Sequence, residues 1–183
     1  MGWLILGLFA IVAVWVVSIF NGLVRSRNAV DNAWAQIDVQ LKKRADLVPN
    51  LVETVKGYAR HEQTVFENVT RARSLVSQAA SPQEAARAED ALTGALKTLF
   101  AVAEKYPDLK ASDNFRLLQE DLNGLESKIA YARQYYNDSV NRYHNSQETF
   151  PANLLAAAFN HRRRQFFETE ADADRQPPRV SFN

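Results

Sequence analysis

The chain has 183 residues, enough for one domain or for one domain with a membrane anchor. Its 22 basic and 21 acidic residues leave a net charge of +1, so no global field directs it to nucleic acid or to an acidic substrate. The lack of cysteine removes disulfides, thiolate metal sites and a cysteine nucleophile, and only 6 Gly and 6 Pro suit helices better than a turn-rich β fold.

The first element is "WLILGLFAIVAVWVVSIFNGLV", residues 3–24, which carries no charge. About 22 such residues suffice to cross a hydrocarbon core of about 30 Å, so residues 1–24 are predicted to be a transmembrane anchor. A cleaved signal peptide fits less well, because the stretch is too long and has neither a basic start nor a small-residue cleavage site. Arg25 and Arg27 follow the span directly, with Lys42, Lys43 and Arg44 further on. The positive-inside rule then puts the helical domain on the cytoplasmic side of its membrane.

Every later segment reads as helix. Apolar residues recur at alternating spacings of four and three from Val30 to Leu41, Leu51 to Val76, Ala85 to Val102 and Leu118 to Tyr143. That spacing packs antiparallel bundles and coiled coils. The expected fold is therefore all-α: a transmembrane helix followed, over residues 25–150, by an antiparallel bundle of four long helices. Trp34, Ile37, Leu41, Val55, Val65, Val69, Leu92, Leu99, Leu122, Leu125 and Ile129 are its expected core. Asp46 is expected to cap the second helix with Pro49 in its first turn, where a missing N–H is harmless, so that "RADLVP" forms a corner. "SPQE" at 81–84 reads as a capping box opening the third helix, and Ser112 or Asp113 opens the fourth. With a corner at Asp46, the segment from the membrane to that corner is about 30 Å long. The second helix (47–79) is about 48 Å and the fourth (113–149) about 55 Å. Their far ends, with Arg71, Arg73, Arg142 and Glu148, would then enter lipid unless the bundle bends near Asn21-Gly22 or copies assemble.

Residues 151–183 form an arm and a polar tail. "HRRRQFF" mixes arginines with phenylalanines, which suits a headgroup boundary, so Arg162, Arg163, Arg164, Phe166 and Phe167 are expected to touch lipid or a neighbouring protomer. The competing reading packs this arm along its own bundle. The last ten or so residues read as disordered.

Little in the chain advertises catalysis. His61-Glu62 lacks the second histidine of a zinc motif, and His61, His144 and His161 lie on different segments. No phosphate loop, dinucleotide motif, nucleophile elbow or paired carboxylates appear, and no cofactor or metal is implied. "KKR" and "RAR" read as solvated faces. Glu62 occupies a core position of the apolar repeat, where it is expected to pair with a basic residue of a neighbouring helix.

"NAVDNAWAQIDVQLKKRADLVPNLVETVKGYARHE", "YPDLKASDNFRLLQEDLNGLESKIAYARQYYND", "FPANLLAAAF" and "RQFFE" resemble, in order and over nearly the whole chain, the LemA family of bacterial membrane proteins. The resemblance implies a single N-terminal span and a long-helix bundle, with no catalytic residue to carry over. It also implies kinship with a magnetosome-membrane protein and genes neighbouring those for membrane proteases. The function expected from residues and resemblance together is a non-enzymatic membrane scaffold or adaptor, homo-oligomeric or membrane-shaping. The alternative is a regulatory partner of a membrane protease or envelope-maintenance system. Membrane lipid is the expected partner, and nucleic acid is not.

Overall fold

Helix α1 is one unbroken helix, Gly2–Lys56, that contains the apolar span and continues straight out of it. After it come α2 (Gln63–Gln78), α3 (Pro82–Ala103), the single turn α4 (Pro107–Lys110), α5 (Asp113–Glu148) and α6 (Ala152–Ala158). This is a computed structural model that describes residues 2–168, and among those residues every regular element is helical. The expected tail disorder lies outside the described residues.

Two long helices set the frame. Trp34 of α1 meets Tyr136 of α5, and Arg44 meets Glu126, so ten residues up one helix match ten down the other. The pair is antiparallel, and its register carries the end of α5 to the level of Gly22. α2 and α3 are shorter and cover only the half of α1 remote from the span. The bundle is thus two long helices flanked by two shorter ones at one end, not four long helices. Ile37, Leu41, Val55, Val69, Leu92, Leu99, Leu122, Leu125 and Ile129 are buried as expected, whereas Trp34 and Val65 only edge the core.

The corner expected at Asp46 does not form. The chain turns at Gly57–Glu62 instead, and Pro49 sits inside α1. An interior proline deprives the carbonyl four residues earlier of its N–H partner. That carbonyl belongs to Ala45, and Arg73 of α2 supplies the missing donor, its Nε lying 2.9 Å from Ala45 O. Arg73 is therefore a structural residue packed against α1, not part of a solvated face. Ala45 lies 21 residues beyond Val24, about 30 Å along the helix, so α2 ends far from lipid. The mismatch expected for the second helix disappears with the corner, whereas the end of α5 still reaches the level of Gly22, at the edge of the charge-free segment; α1 is continuous through Asn21-Gly22.

A double-mutant cycle checks this bond. Arg73→Met is expected to cost about 1.5–3 kcal/mol, the range for a charged donor on a buried acceptor. Pro49→Ala restores the intrahelical donor, so in that background Arg73→Met should cost clearly less. Equal costs in both backgrounds would show that Arg73 does not serve the Ala45 carbonyl.

The other boundaries follow their local chemistry. Ser81 caps α3 by accepting from Glu84 N (3.2 Å), Pro82 takes the first helical position, and the Glu84 carboxylate reaches back to Ala80 N (2.9 Å). Ser112 takes the N-cap position of α5 in extended backbone, but its side chain makes no capping bond.

Candidate membrane and partner interface

Helix α6 follows the turn at Phe150-Pro151 and packs between α1 and α5 near the span. It ends in a Schellman motif: His161 N donates to Ala156 O (2.9 Å) and Asn160 N to Ala157 O (3.3 Å). Asn160 takes the left-handed backbone this motif needs, at φ 52°, where asparagine is tolerated better than most residues. The motif reverses the chain, and residues 161–168 then climb the groove between α1 and α5.

The groove binds this strap chiefly by its backbone. Gln147 Nε2 donates to His161 O (2.8 Å), and the Arg164 N–H donates to His144 Nε2 (3.1 Å). Tyr136 Oη donates to Gln165 O (2.7 Å). The Asn137 amide then grips Phe167 at both ends, donating to its carbonyl (3.0 Å) and accepting from its N–H (2.9 Å). Asn137, His144 and Gln147 are spaced seven and three residues apart on α5, two turns and one, with Tyr136 beside Asn137, so one side of the helix satisfies an extended segment. Burial pushes the Tyr136 phenol up to about 12, so it stays a donor at any physiological pH.

The five arm residues expected at lipid divide. Phe167 is 0% exposed in the chain's own core, near Trp34, and Phe166 packs on the same core beside His144. For these two the lipid expectation is corrected, because the α1–α5 groove offers them a protein environment. Arg164 pairs with Asp31 of α1 (2.8 Å) and Arg163 with Glu148, both at the surface, while Arg162 is exposed. Only the arginines still face outward, on the side towards the span.

His161 makes the arm sensitive to acid. Burial lowers its pKa below the usual 6.5, and Arg27 on α1 lowers it further. Tyr143 on α5 lies 3.0 Å from Nδ1, and burial raises that phenol, so the pair is a hydrogen bond between two uncharged rings at neutral pH. A depressed histidine binds protons less readily folded than unfolded, so its contribution holds above pH 6.5 and is lost as pH falls through the lower folded value. Amide exchange over residues 161–167 is therefore expected to accelerate between pH 7 and pH 5 beyond the change in intrinsic rate. Unchanged protection across that interval would count against the arrangement.

The basic-acidic core pair exists, but between other residues. Glu62 stands half-exposed at the turn before α2, outside the bundle interior, and makes no ion pair among the described residues. The pair is Arg44 of α1 with Glu89 of α3, each 5% exposed, and Arg44 also reaches Glu126 of α5 at 2.6 Å. Burial raises the Glu89 carboxyl, Arg44 opposes that, and Glu126 reinforces it. The signal was in the sequence: Ile37, Leu41, Arg44, Val48, Leu51, Val55 and Ala85, Glu89, Leu92, Leu96, Leu99 are both unbroken 4-3 series. Each charge falls on a core position, and both were masked by charged neighbours.

A family model described as the LemA family matches residues 33–182. "Protein LemA" of Metamycoplasma hominis is 29% identical over 140 residues, covering 74% of this chain and 63% of that protein. "Magnetosome protein MamQ 2" of Paramagnetospirillum magneticum is 22% identical over 163 residues, 75% of this chain and 60% of that protein. "Magnetosome protein MamQ" of Magnetospirillum gryphiswaldense is 20% identical over 181 residues, 85% and 66%. The chain thus spans under two thirds of each of these relatives. With an apolar N-terminal helix running into a helical bundle and a match over most of its length, the chain belongs to the LemA family.

Proposed function

We propose that this is a membrane-anchored scaffold or adaptor, self-associating and without catalysis of its own, with its helical part on the cytoplasmic side of the bacterial inner membrane. The observation that carries the reading is the continuity of α1. One helix leaves the span and runs 32 residues past Val24, about 48 Å, so the head is held rigidly at a set distance from the bilayer. A catalytic domain gains nothing obvious from such a rod, whereas a spacer or assembly element does. Arg25 and Arg27 directly after the span support the orientation. The naming of two relatives for the magnetosome, not for a reaction, favours a structural role.

The arm covers one side of the α1–α5 stalk and leaves another side open. There Val39, Tyr131 and Tyr135 are exposed around a groove of about 560 Å³, and Gln40 Oε1 is buried with no partner among the described residues. A second copy of the chain is the occupant this reading assigns. Mass measurement of the protein in lipid nanodiscs tests it, with Tyr131→Lys/Tyr135→Lys as the disrupting variant. A multimer that the double substitution reduces to a monomer supports self-association. A monomeric native protein overturns it, and capture of one dominant foreign membrane protein from gently solubilised membranes would favour the adaptor form.

A further inference from the structure

We infer that α6 is a second membrane element, lying in the leaflet that α1 leaves, with Phe150, Leu154 and Phe159 in the acyl region. This rests on the reading that α1 spans the bilayer. Depth is the first argument. The Phe159 ring lies 4.8 Å from that of Phe20, and Phe20 is inside the charge-free segment, four residues or about 6 Å before its end. The medium that surrounds α1 at Phe20 therefore also meets the outer side of α6. Interfacial helices settle about 5–10 Å below the headgroup boundary, which is the depth this contact gives.

Composition is the second argument. "ANLLAAA" has no charge, and its inner side, Ala156, is buried against the bundle. Its outer side is apolar and open: Phe150 is 75% exposed, Leu154 62% and Phe159 58%. In water these would be three large apolar side chains grouped beside a helix already in lipid, an arrangement that marks a membrane or partner surface.

The third argument is where charge begins. Arg162 and Arg163 follow α6 within a turn of its end, and Arg25 and Arg27 follow the span on α1. The arginines of both segments thus begin just beyond their apolar stretches, where phosphate headgroups would meet them. Continuity with the span makes the bilayer the occupant, ahead of another protein. A wedge beside the span occupies area in one leaflet only, which gives the membrane-shaping role expected from the sequence a physical means.

The chain has no cysteine, so a single introduced one can be labelled alone. Full-length Val12→Cys, Leu154→Cys and Lys97→Cys variants would carry a nitroxide in vesicles of phosphatidylcholine with about a third phosphatidylglycerol, a composition chosen to present an anionic surface. Collision with oxygen reports lipid, and collision with a soluble nickel chelate reports water. The expected result is oxygen-dominated relaxation at positions 12 and 154 and nickel-dominated relaxation at 97. Oxygen at 12 but nickel at 154 would overturn α6 insertion while leaving α1 in the membrane. Nickel at 12 would overturn both. Shielding of 154 from both reagents would mean that protein covers α6, and would also overturn the inference. Ala157→Cys, one turn along the same outer side, repeats the measurement if Leu154→Cys does not fold.

Discussion

Arg44→Met is expected to destabilise the protein by about 3–5 kcal/mol, the cost of leaving a buried charge without its partner. Glu89 is 5% exposed and Glu126 only half-covered, so Glu89 is the group stranded by the change. Arg44→Met/Glu89→Met should recover most of the loss, since an apolar pair of similar volume in such a site is often neutral or better. The deficit of the single variant also has a predicted pH dependence. Burial already raises the Glu89 carboxyl above its usual 4.5, and removing Arg44 removes the largest opposing influence. A raised carboxyl binds its proton more tightly folded than unfolded, so its unfavourable contribution is absent below 4.5 and grows as pH rises towards the folded value. Denaturant unfolding of the detergent-solubilised chain should therefore show a smaller Arg44→Met deficit at pH 5 than at pH 7.5. A deficit under 1 kcal/mol at neutral pH, or one that grows on acidification, would contradict the assignment of this pair to the core.

Phe167→Ala should release the arm. The side chain is wholly buried near Trp34, and truncating such a phenylalanine costs about 3–5 kcal/mol where the surroundings cannot collapse. Of residues 161–168 only Phe167 is fully buried, so the expected loss is local opening of the strap while α1, α2, α3 and α5 stay folded. Amide exchange at Arg164 and Phe167, whose N–H groups donate to His144 and Asn137, should accelerate by on the order of a hundredfold or more, which is what that range implies for the opening equilibrium. Trypsin should cut sooner at Arg162–Arg164, with little change in helical circular dichroism. Retained arm protection would show that the Asn137 clamp alone suffices to hold it. Asn137→Leu separates the two contributions, because it keeps bulk but forfeits both bonds to the Phe167 backbone.

Much of this architecture was legible without coordinates. A charge-free run of about 22 residues is long and apolar enough to cross a membrane, and its lack of a basic start and of a cleavage site weighed against a signal peptide. Alternating spacings of four and three excluded strands, and Ser81, Pro82 and Glu84 marked the start of α3 because capping acts within four residues. These are effects of near neighbours in the chain, and reading along the chain captures them. The same reading misplaced the first corner because Asp46 and Pro49 together imitate a helix start.

The tertiary structure decided the remainder. Pro49 lies inside α1 because Arg73, 28 residues further on, supplies the donor that proline withholds. Arg44 is a core residue because Glu89, 45 residues away, meets it there. The arm returns to the bundle because Tyr136, Asn137, His144 and Gln147 satisfy its backbone from another helix. In each case the polar group could be buried only if a partner arrived from a distant segment. Propensity and periodicity are settled by adjacent residues, whereas the cost of desolvating a charge or a carbonyl is settled by whatever lies opposite it in space.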